Sequence, residues 1–342
     1  MPITKSVRNL EPYTPGEQPK LKNVIKLNTN ENPYPPTPKC RAVLAAFDLD
    51  KLRKYPDPVF IELRKAIAKL NKCKIENVFV GNGSDEILAL SAKAFVEDNG
   101  IIGSLNPSYS LYKTIAAIRG VKWLGVKEAG LEEAKAKANK YNLFLWTNPN
   151  APTGEFTRPE KIAAFAKSFP GTLLIDEAYA DFACDNAMRL ATAPENKNTI
   201  VMRTFSKSYS LAGLRVGYAV GPVDLIEALY KIKDSYNVDA IAQAIALEAI
   251  KDQRWMKANA AKIKKTRAYL EKKLALMGWD VIPSQSNFVF ARPPKGNAEE
   301  IFLSLKKDNI FVRYFKGKET GDRLRITIGT QEQIETLIKK LK

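Results

Sequence analysis

Histidine is absent from all 342 residues of the chain. Without an imidazole, the protein cannot build a Ser-His-Asp triad, a Cys-His dyad or a histidine-ligated metal centre. Any general base must therefore be a lysine, an aspartate, a glutamate, a tyrosine or a cysteine. The missing residue type thus excludes several common classes of hydrolase and metalloenzyme.

Cysteines and long apolar runs are scarce as well. The three cysteines, Cys40, Cys73 and Cys184, show no CxxC spacing, so the sequence predicts reduced thiols and neither a disulfide framework nor a zinc site. No apolar run reaches the roughly 18 residues of a membrane-spanning helix. Residues 1–16 contain no apolar segment of the signal-peptide type. We therefore expect a cytoplasmic protein with no metal site and no membrane partner.

Basic residues, in contrast, are in excess. Lysine and arginine number 54 against 37 aspartates and glutamates, which gives a formal charge of +17. Such an excess is typical of nucleic-acid-binding proteins, but also of surfaces that attract anionic small molecules. The lysines are spread along predicted helices such as residues 257–273, which favours the second interpretation. We expect small-molecule substrates and no nucleic-acid partner.

The order of apolar segments predicts an α/β protein. Residues 1–38 are rich in proline and asparagine, which predicts an extended arm without a regular helix. From about residue 59, short apolar runs alternate with segments of helical periodicity, which predicts a parallel or mixed sheet. A long helix over 240–276, followed by strands that include 310–315, predicts a second, α+β unit. We place an N-terminal arm at 1–35, a large domain at 36–245 and a small C-terminal domain at 246–342.

Two helix starts are marked by capping boxes. Thr157 is followed three residues later by Glu160, and Thr330 by Gln333. In this motif the threonine side chain and the acidic or amide side chain bond each other's backbone N–H groups. The sequence therefore predicts a helix that starts at each threonine.

Candidate functional residues follow the predicted strands, because ligands of α/β sheets gather at the carboxyl ends of strands. Residues 81–84 place a glycine turn before a helix, which suits a phosphate but also a helix capped simply by Ser84. Asp176 ends an apolar strand, either as a helix cap or as the anion that keeps a pyridinium nitrogen protonated. Lys207 follows another strand, with Arg215 eight residues on. Burial and a nearby cation lower the pKa of a lysine, as a Schiff-base nucleophile requires.

Together these motifs resemble the class I and II aminotransferases that depend on pyridoxal phosphate. Residues 204–207 (TFSK) and 211–218 (LAGLRVGY) resemble the lysine motif of that family. Five further segments resemble the histidinol-phosphate aminotransferases in particular, so that the resemblance covers essentially the whole chain: residues 7–13, 28–34, 54–57, 176–182 and 324–330.

The resemblance implies a fold, an assembly and a reaction. It implies a large cofactor-binding domain with a mostly parallel sheet of the seven-stranded type, a smaller α+β domain, and a homodimer. The implied reaction interconverts L-histidinol phosphate and 2-oxoglutarate with imidazole-acetol phosphate and L-glutamate, a step of histidine biosynthesis. An aromatic-amino-acid aminotransferase and a threonine-phosphate decarboxylase on the same fold are the alternatives.

The resemblance also assigns roles around pyridoxal phosphate. It implies that Lys207 binds the cofactor covalently and transfers the proton, that Asp176 pairs with the pyridine nitrogen, and that Tyr179 bonds the phenolic oxygen. Tyr109 would stack on the ring, which its flat apolar face suits. The cofactor phosphate would be bound by the backbone around Ser84 and Asp85, with Ser206 and Arg215, together with Tyr55 of the partner subunit.

Three further residues are implied to hold the anionic end of the substrate: Tyr13, Arg313 and Arg325. Arginine suits this role because its planar fork matches phosphate and carboxylate groups. One position departs from the family pattern, which has asparagine directly before Pro-Thr-Gly where this chain has Ala151. Asn148 and Asn150 are candidates to replace the missing amide, and the sequence leaves that choice open.

Overall fold

The computed structural model describes residues 3, 5–8, 10, 14–21, 23–127 and 140–342. Helices and strands are numbered in chain order within these residues. The N-terminal segment contains a helical turn, α1 (Lys5–Arg8), and a short strand, β1 (Ile25–Lys26). The prediction of an arm without a regular helix was therefore wrong at α1, although residues 14–21 do contain no helix or strand.

A sheet of seven strands dominates the fold, in the order β2-β8-β7-β6-β5-β3-β4. The strand β8 runs antiparallel to both of its neighbours, and every other pair is parallel. This confirms the predicted α/β class with a mostly parallel sheet. The strands are β2 (Val78–Gly81), β3 (Ile101–Leu105), β4 (Lys122–Val126), β5 (Leu143–Thr147), β6 (Thr172–Asp176), β7 (Thr199–Thr204) and β8 (Gly217–Val220).

Helices cover both faces of this sheet, which is why its central strands are continuously apolar. Along β6, the side chain of Leu174 packs into one apolar cluster, while those of Leu173 and Ile175 pack into the other. The helices up to residue 251 are α2 (Pro38–Ala45), α3 (Ile61–Asn71), α4 (Gly83–Phe95), α5 (Leu111–Arg119), α6 (Pro159–Ser168), α7 (Met188–Thr192), α8 (Val223–Ile232) and α9 (Ala240–Lys251).

The C-terminal part is built on an antiparallel sheet of four strands in the order β12-β13-β10-β9. A separate strand, β11, pairs in parallel with β1 of the N-terminal segment. These elements are α10 (Gln253–Leu276), β9 (Asp280–Ile282), β10 (Phe288–Arg292), α11 (Ala298–Lys307), β11 (Ile310–Phe311), β12 (Arg313–Tyr314), β13 (Leu324–Thr327) and α12 (Gln331–Leu341). In the described residues, no helix has the length and apolar character needed to cross a membrane.

Two predicted elements are divided in the structure. The helix predicted over 240–276 breaks at Asp252, whose carboxylate accepts the Trp255 N–H at 3.3 Å and the Thr37 hydroxyl at 2.6 Å. The strand predicted over 310–315 divides at Val312 into β11 and β12, which belong to different sheets. In both cases the point of division lies beside a contact with the N-terminal segment, through Thr37 at Asp252 and through β1 at β11.

The two predicted capping boxes have different outcomes. At Thr330 the box forms, since its Oγ1 accepts the Gln333 N–H at 3.3 Å and the Gln333 Oε1 accepts the Thr330 N–H at 2.9 Å. At Thr157 the prediction was wrong, because α6 begins at Pro159 without a side-chain cap. The backbone of Thr157 instead exchanges two hydrogen bonds with the side chain of Asn148.

Candidate active site

The carboxyl ends of β2, β3, β5, β6 and β7 meet at one edge of the large sheet and line a cavity of about 530 Å³. Residues 28–31 and the segment from Arg313 to Arg325 contribute further parts of its wall. The cavity therefore lies between the two sheets, at the place where α/β proteins bind ligands.

Asp176 lies at the end of β6 with only 4% of its surface exposed. Burial raises the pKa of its carboxyl group to about 6, even though two donors stabilise the ionised form. These donors are the Tyr112 hydroxyl, at 2.9 Å, and the Ala178 N–H, at 3.1 Å. Asp176 therefore presents an oriented carboxylate in a site of low polarity.

Lys207 follows β7, and its Nζ donates a hydrogen bond of 3.3 Å to the carbonyl oxygen of Thr29. Burial, followed by the guanidinium of Arg325, lowers the pKa of this amine to about 8. The side-chain amide of Asn32 donates to the carbonyl oxygens of Lys207 and Ser208, which fixes the loop. A substantial fraction of the Lys207 amine is therefore neutral at mildly alkaline pH, as a nucleophile or a proton acceptor requires.

Tyr179 lies near this lysine, with its ring centre 5.8 Å from the Lys207 Nζ. Its hydroxyl accepts a hydrogen bond of 2.9 Å from the Asn30 amide, and Thr327 in turn donates to the Asn30 carbonyl oxygen at 3.0 Å. Burial raises the pKa of Tyr179, so the phenol keeps its own hydrogen and can donate it into the cavity.

A candidate anion-binding site lies where the first turn of α4 meets the start of β8. Ser84 lies in that first turn, where backbone N–H groups have no partner within the helix. A Cβ at Gly217 would come within 2.7 Å of the Ser84 nitrogen, so only glycine allows this approach. The Arg215 guanidinium lies 3.4 Å from both the Ser206 Oγ and an Asp85 carboxylate oxygen.

Two arginines also line the cavity, and both donate to carbonyl oxygens of the N-terminal segment. Arg325 donates to Asn28 at 2.9 Å, while Arg313 donates to Thr14 at 2.8 Å and to Pro15 at 3.1 Å. Both guanidinium carbons lie 5.2 Å from the ring centre of Phe315. The part of the cavity near Arg313 and Arg325 therefore attracts anions.

The structure brings ten of the predicted site residues into the wall of this one cavity: Ser84, Asp85, Tyr109, Asp176, Tyr179, Ser206, Lys207, Arg215, Arg313 and Arg325. Tyr55 lies elsewhere, 79% exposed, with its ring stacked on Tyr236 at 4.3 Å. Tyr13 lies outside the described residues. The Tyr109 hydroxyl is 3.4 Å from an Asp85 carboxylate oxygen.

Three residues of the site were not predicted from the sequence. Tyr112 bonds Asp176 directly, Thr147 bonds the Tyr112 hydroxyl, and Asn30 bonds Tyr179. Tyr112 follows Tyr109 by one helical turn, and this spacing is the only signal that could have pointed to it. Asn30 lies in a segment that was recognised, but without a role.

The structure also bears on the two asparagines near Ala151, which itself lines the cavity. The Asn148 amide bonds the backbone of Thr157. The Asn150 amide donates to the Pro107 carbonyl and accepts from Ser108. Among the residues that the structure describes, neither asparagine contributes to the cavity wall.

Comparisons with known proteins agree on one family. The model of the family "Aminotransferase class I and II" matches residues 22–341. Histidinol-phosphate aminotransferase 1 of Nostoc sp. is 42% identical over 98% of this chain and 96% of its own. The histidinol-phosphate aminotransferase of Syntrophotalea carbinolica is 41% identical over 99% and 98% of the two chains.

A solved structure is similar over almost the same length. The crystal structure of histidinol-phosphate aminotransferase from Sinorhizobium meliloti, in complex with pyridoxal-5'-phosphate, superposes with a TM-score of 0.91 and 26% identity. The similarity covers 99% of this chain and 96% of that one.

Proposed function

The chain belongs to the aminotransferase class I and II family, and we propose that it interconverts L-histidinol phosphate and 2-oxoglutarate with imidazole-acetol phosphate and L-glutamate. Relatives named for this activity are about 40% identical over nearly the full chain. The observation that carries the proposal is a cavity lined by an amine, a buried carboxylate and two arginines. Amino-group chemistry and recognition of a distant anion are thereby combined in one site.

Pyridoxal phosphate, the cofactor of this family, fits the residues around the cavity. Asp176 is a suitable partner for a pyridine nitrogen, and the Lys207 amine for an aldehyde carbon. The first turn of α4, with Ser206 and Arg215, offers N–H, hydroxyl and guanidinium donors for a phosphate, and Gly217 allows β8 to pack closely against that turn. When bound, the cofactor supplies an electron-accepting ring that stabilises negative charge at the α-carbon of the substrate.

The residues around the ring divide the proton chemistry between them. With a pKa near 6, Asp176 is ionised at neutral pH and would keep a proton on the pyridine nitrogen. Lys207, with a pKa near 8, would accept a proton from the substrate α-carbon and return it to the C4′ position. Tyr109 would stack on the ring.

Tyr179 is the proposed partner of the phenolic oxygen. The hydrogen bond from Asn30 fixes its hydroxyl, so the phenol donates from one position. Ala151 supports this role, because it places a methyl group where the family pattern has an asparagine amide.

Arg313 and Arg325 are the proposed ligands of the distal anion of the substrate. One arginine can thus serve both the phosphate of histidinol phosphate and a carboxylate of glutamate, which bind in alternate half-reactions. Guanidinium groups suit both anions because two parallel N–H donors match two oxygens. Tyr13 stays a prediction as a third ligand of this anion.

We also propose a homodimer. Leu49, Leu52, Tyr55 and Tyr236 are large and exposed, and Tyr55 lies outside the cavity of its own chain. An apolar surface of this kind marks an interaction site. A second copy that covers it would bring Tyr55 of the partner subunit to the cofactor phosphate.

Three broader features belong to the same proposal. The enzyme acts in the cytoplasm, in histidine biosynthesis. The chain divides into an arm at 1–35, a large domain at 36–245 and a small domain at 246–342. The cavity then lies between the last two.

A half-reaction panel tests the proposed substrate. The purified pyridoxal form is mixed with histidinol phosphate, histidinol, glutamate, phenylalanine, tyrosine or threonine phosphate, and its conversion to the pyridoxamine form is followed by absorbance. We expect the kcat/KM for conversion by histidinol phosphate to exceed that for histidinol by the equivalent of roughly 2–5 kcal/mol, the cost of truncating one partner of a buried charge pair. Faster conversion by phenylalanine or tyrosine at equal concentration would instead favour an aromatic-amino-acid aminotransferase.

A further inference from the structure

A series of hydroxyl groups leads along the cavity wall to Asp176. Tyr112, on α5, is only 1% exposed, and its hydroxyl lies 2.9 Å from the Asp176 Oδ2 and 2.5 Å from the Thr147 Oγ1. The Thr147 Oγ1 lies 3.1 Å from the Ser108 Oγ, which lies 2.8 Å from the Asn150 carbonyl oxygen. Four polar side chains thus connect the loops after β3 and β5 to the carboxylate at the end of β6.

The donor and the acceptor can be assigned for the hydrogen bonds in this series of hydroxyl groups. An ionised carboxylate can only accept, so the single Tyr112 hydrogen is donated to Asp176. The contact between Tyr112 and Thr147 then requires Thr147 to be the donor. The Asn150 carbonyl oxygen can only accept, so the single Ser108 hydrogen is donated to Asn150. The positive ends of the Thr147 and Tyr112 hydroxyl dipoles therefore both point toward Asp176.

We propose that Tyr112, oriented by Thr147, is a positioning residue that keeps Asp176 ionised and directed at the ring nitrogen of the cofactor. Asp85 and Glu177 oppose ionisation of Asp176, since both are acidic and raise the pKa of the carboxyl group, as burial does, whereas the Ala178 N–H favours ionisation. The Tyr112 hydrogen bond also favours ionisation.

Tyr112 is suited to this task because it stays neutral. Burial, together with the nearby charge of Asp176, raises the pKa of its phenol well above the ordinary value, so the hydroxyl keeps its hydrogen. In a chain without histidine, a tyrosine is one of the few side chains that can reach from a helix into a sheet and donate one hydrogen bond. The Tyr112 ring also packs edge-on against Tyr109, with ring centres 5.6 Å apart.

The experiment separates the hydroxyl from the ring. Tyr112→Phe keeps the packing and removes the donor, and Tyr230→Phe is the matched control, since its hydroxyl makes a 3.4 Å contact with the Val78 carbonyl away from the cavity. Each holoenzyme is loaded with pyridoxal phosphate labelled with ¹⁵N in the ring. We expect the ¹⁵N resonance of Tyr112→Phe to move toward the unprotonated pyridine position, while that of the control stays at the wild-type position.

Two further measurements accompany the resonance. We expect cofactor affinity and kcat with glutamate to fall by roughly tenfold or more in Tyr112→Phe, as for loss of a hydrogen bond to a charged group, with KM changed much less. Thr147→Val should shift the resonance in the same direction by a smaller amount. The double variant should resemble Tyr112→Phe alone, because Thr147 acts through Tyr112.

A wild-type resonance and wild-type affinity in Tyr112→Phe would overturn the proposal and leave the residue a packing role. An equal shift in Tyr230→Phe would overturn it too, because the change would then be a general loss of order. The test is independent of the amino donor. If histidinol phosphate fails as a substrate, the resonance difference is still expected.

Discussion

Arg313 and Arg325 occupy directly paired positions on the antiparallel strands β12 and β13. Paired residues project from the same face of a sheet, so two guanidinium groups lie side by side at the cavity. Like charges in such a pair are destabilising, and here the Phe315 ring and carbonyl oxygens of the N-terminal segment offset part of that cost. A dianion between the two guanidinium groups would offset it further.

Arg325→Ala should therefore impair both half-reactions. We expect kcat/KM for glutamate and for histidinol phosphate to fall by the equivalent of roughly 2–5 kcal/mol, because a buried anion loses its partner. Stopped-flow measurement of each half-reaction checks this. The matched control is Arg323→Ala, which removes a nearby arginine whose Nη2 bonds Asp280 at 2.6 Å, and it should leave both rates near the wild-type values. A loss confined to one substrate would contradict a shared anion site.

Covalent capture of the cofactor should depend on the protonation of Lys207. The amine is protonated below its pKa of about 8 and neutral above it, so capture of pyridoxal phosphate by the apoprotein should accelerate as the pH rises through about 8. Rapid-mixing absorbance between pH 6 and pH 10 measures this profile. Borohydride reduction and peptide mapping should place the label on Lys207. A label on another lysine would refute the assignment.

Asp176 should lower the stability of the apoprotein at neutral pH. Its native pKa of about 6 lies above the unfolded value of 3.8, so the native state binds more protons between these values. The free energy of unfolding should then fall as the pH rises through that window, by up to about 3 kcal/mol. Apo Asp176→Asn should unfold at a higher temperature at pH 7 but bind pyridoxal phosphate more weakly. Asp224→Asn, which removes an exposed carboxylate on α8, should change neither property.

The close approach of β8 to α4 should make Gly217 intolerant of a side chain. In Gly217→Ala, the new methyl group would meet the backbone of Ser84 and Gly83 at less than 3 Å, and we expect about 1–3 kcal/mol of destabilisation together with weaker cofactor binding. Gly213→Ala is the control, since no heavy atom lies within 4 Å of its Cβ position. Thermal unfolding and cofactor titration distinguish the two variants.

Shared sites in a homodimer predict complementation. Tyr55→Ala and Lys207→Ala should each be inactive alone, whereas a mixture that exchanges subunits should regain activity, because one of the two sites in each heterodimer carries neither substitution. Activity is measured after co-refolding, with sedimentation to establish the oligomeric state. A fully active monomer at assay dilution would contradict the shared site.

The sequence by itself determined the features that depend on local pattern. Apolar runs set the strands, and the residues at or just after their ends define the site, as with Asp176 at the end of β6 and Lys207 after β7. Both could be predicted because the strand ends of a parallel sheet converge whatever the details of packing. The Thr330 capping box formed because both of its partners lie within one turn.

Only the tertiary structure decided which neighbours these groups acquired. The capping box predicted at Thr157 does not form, because the side chain of Asn148, nine residues away, bonds the Thr157 backbone N–H and carbonyl oxygen. The helical pattern ends at Asp252, which caps α10 and also bonds Thr37, a residue 215 positions distant in sequence. The partners of the site residues are similarly remote, as Tyr112 is from Asp176 and Asn30 from Tyr179. Such pairs leave no periodicity in a sequence, because their geometry exists only once the sheet and its helices have packed.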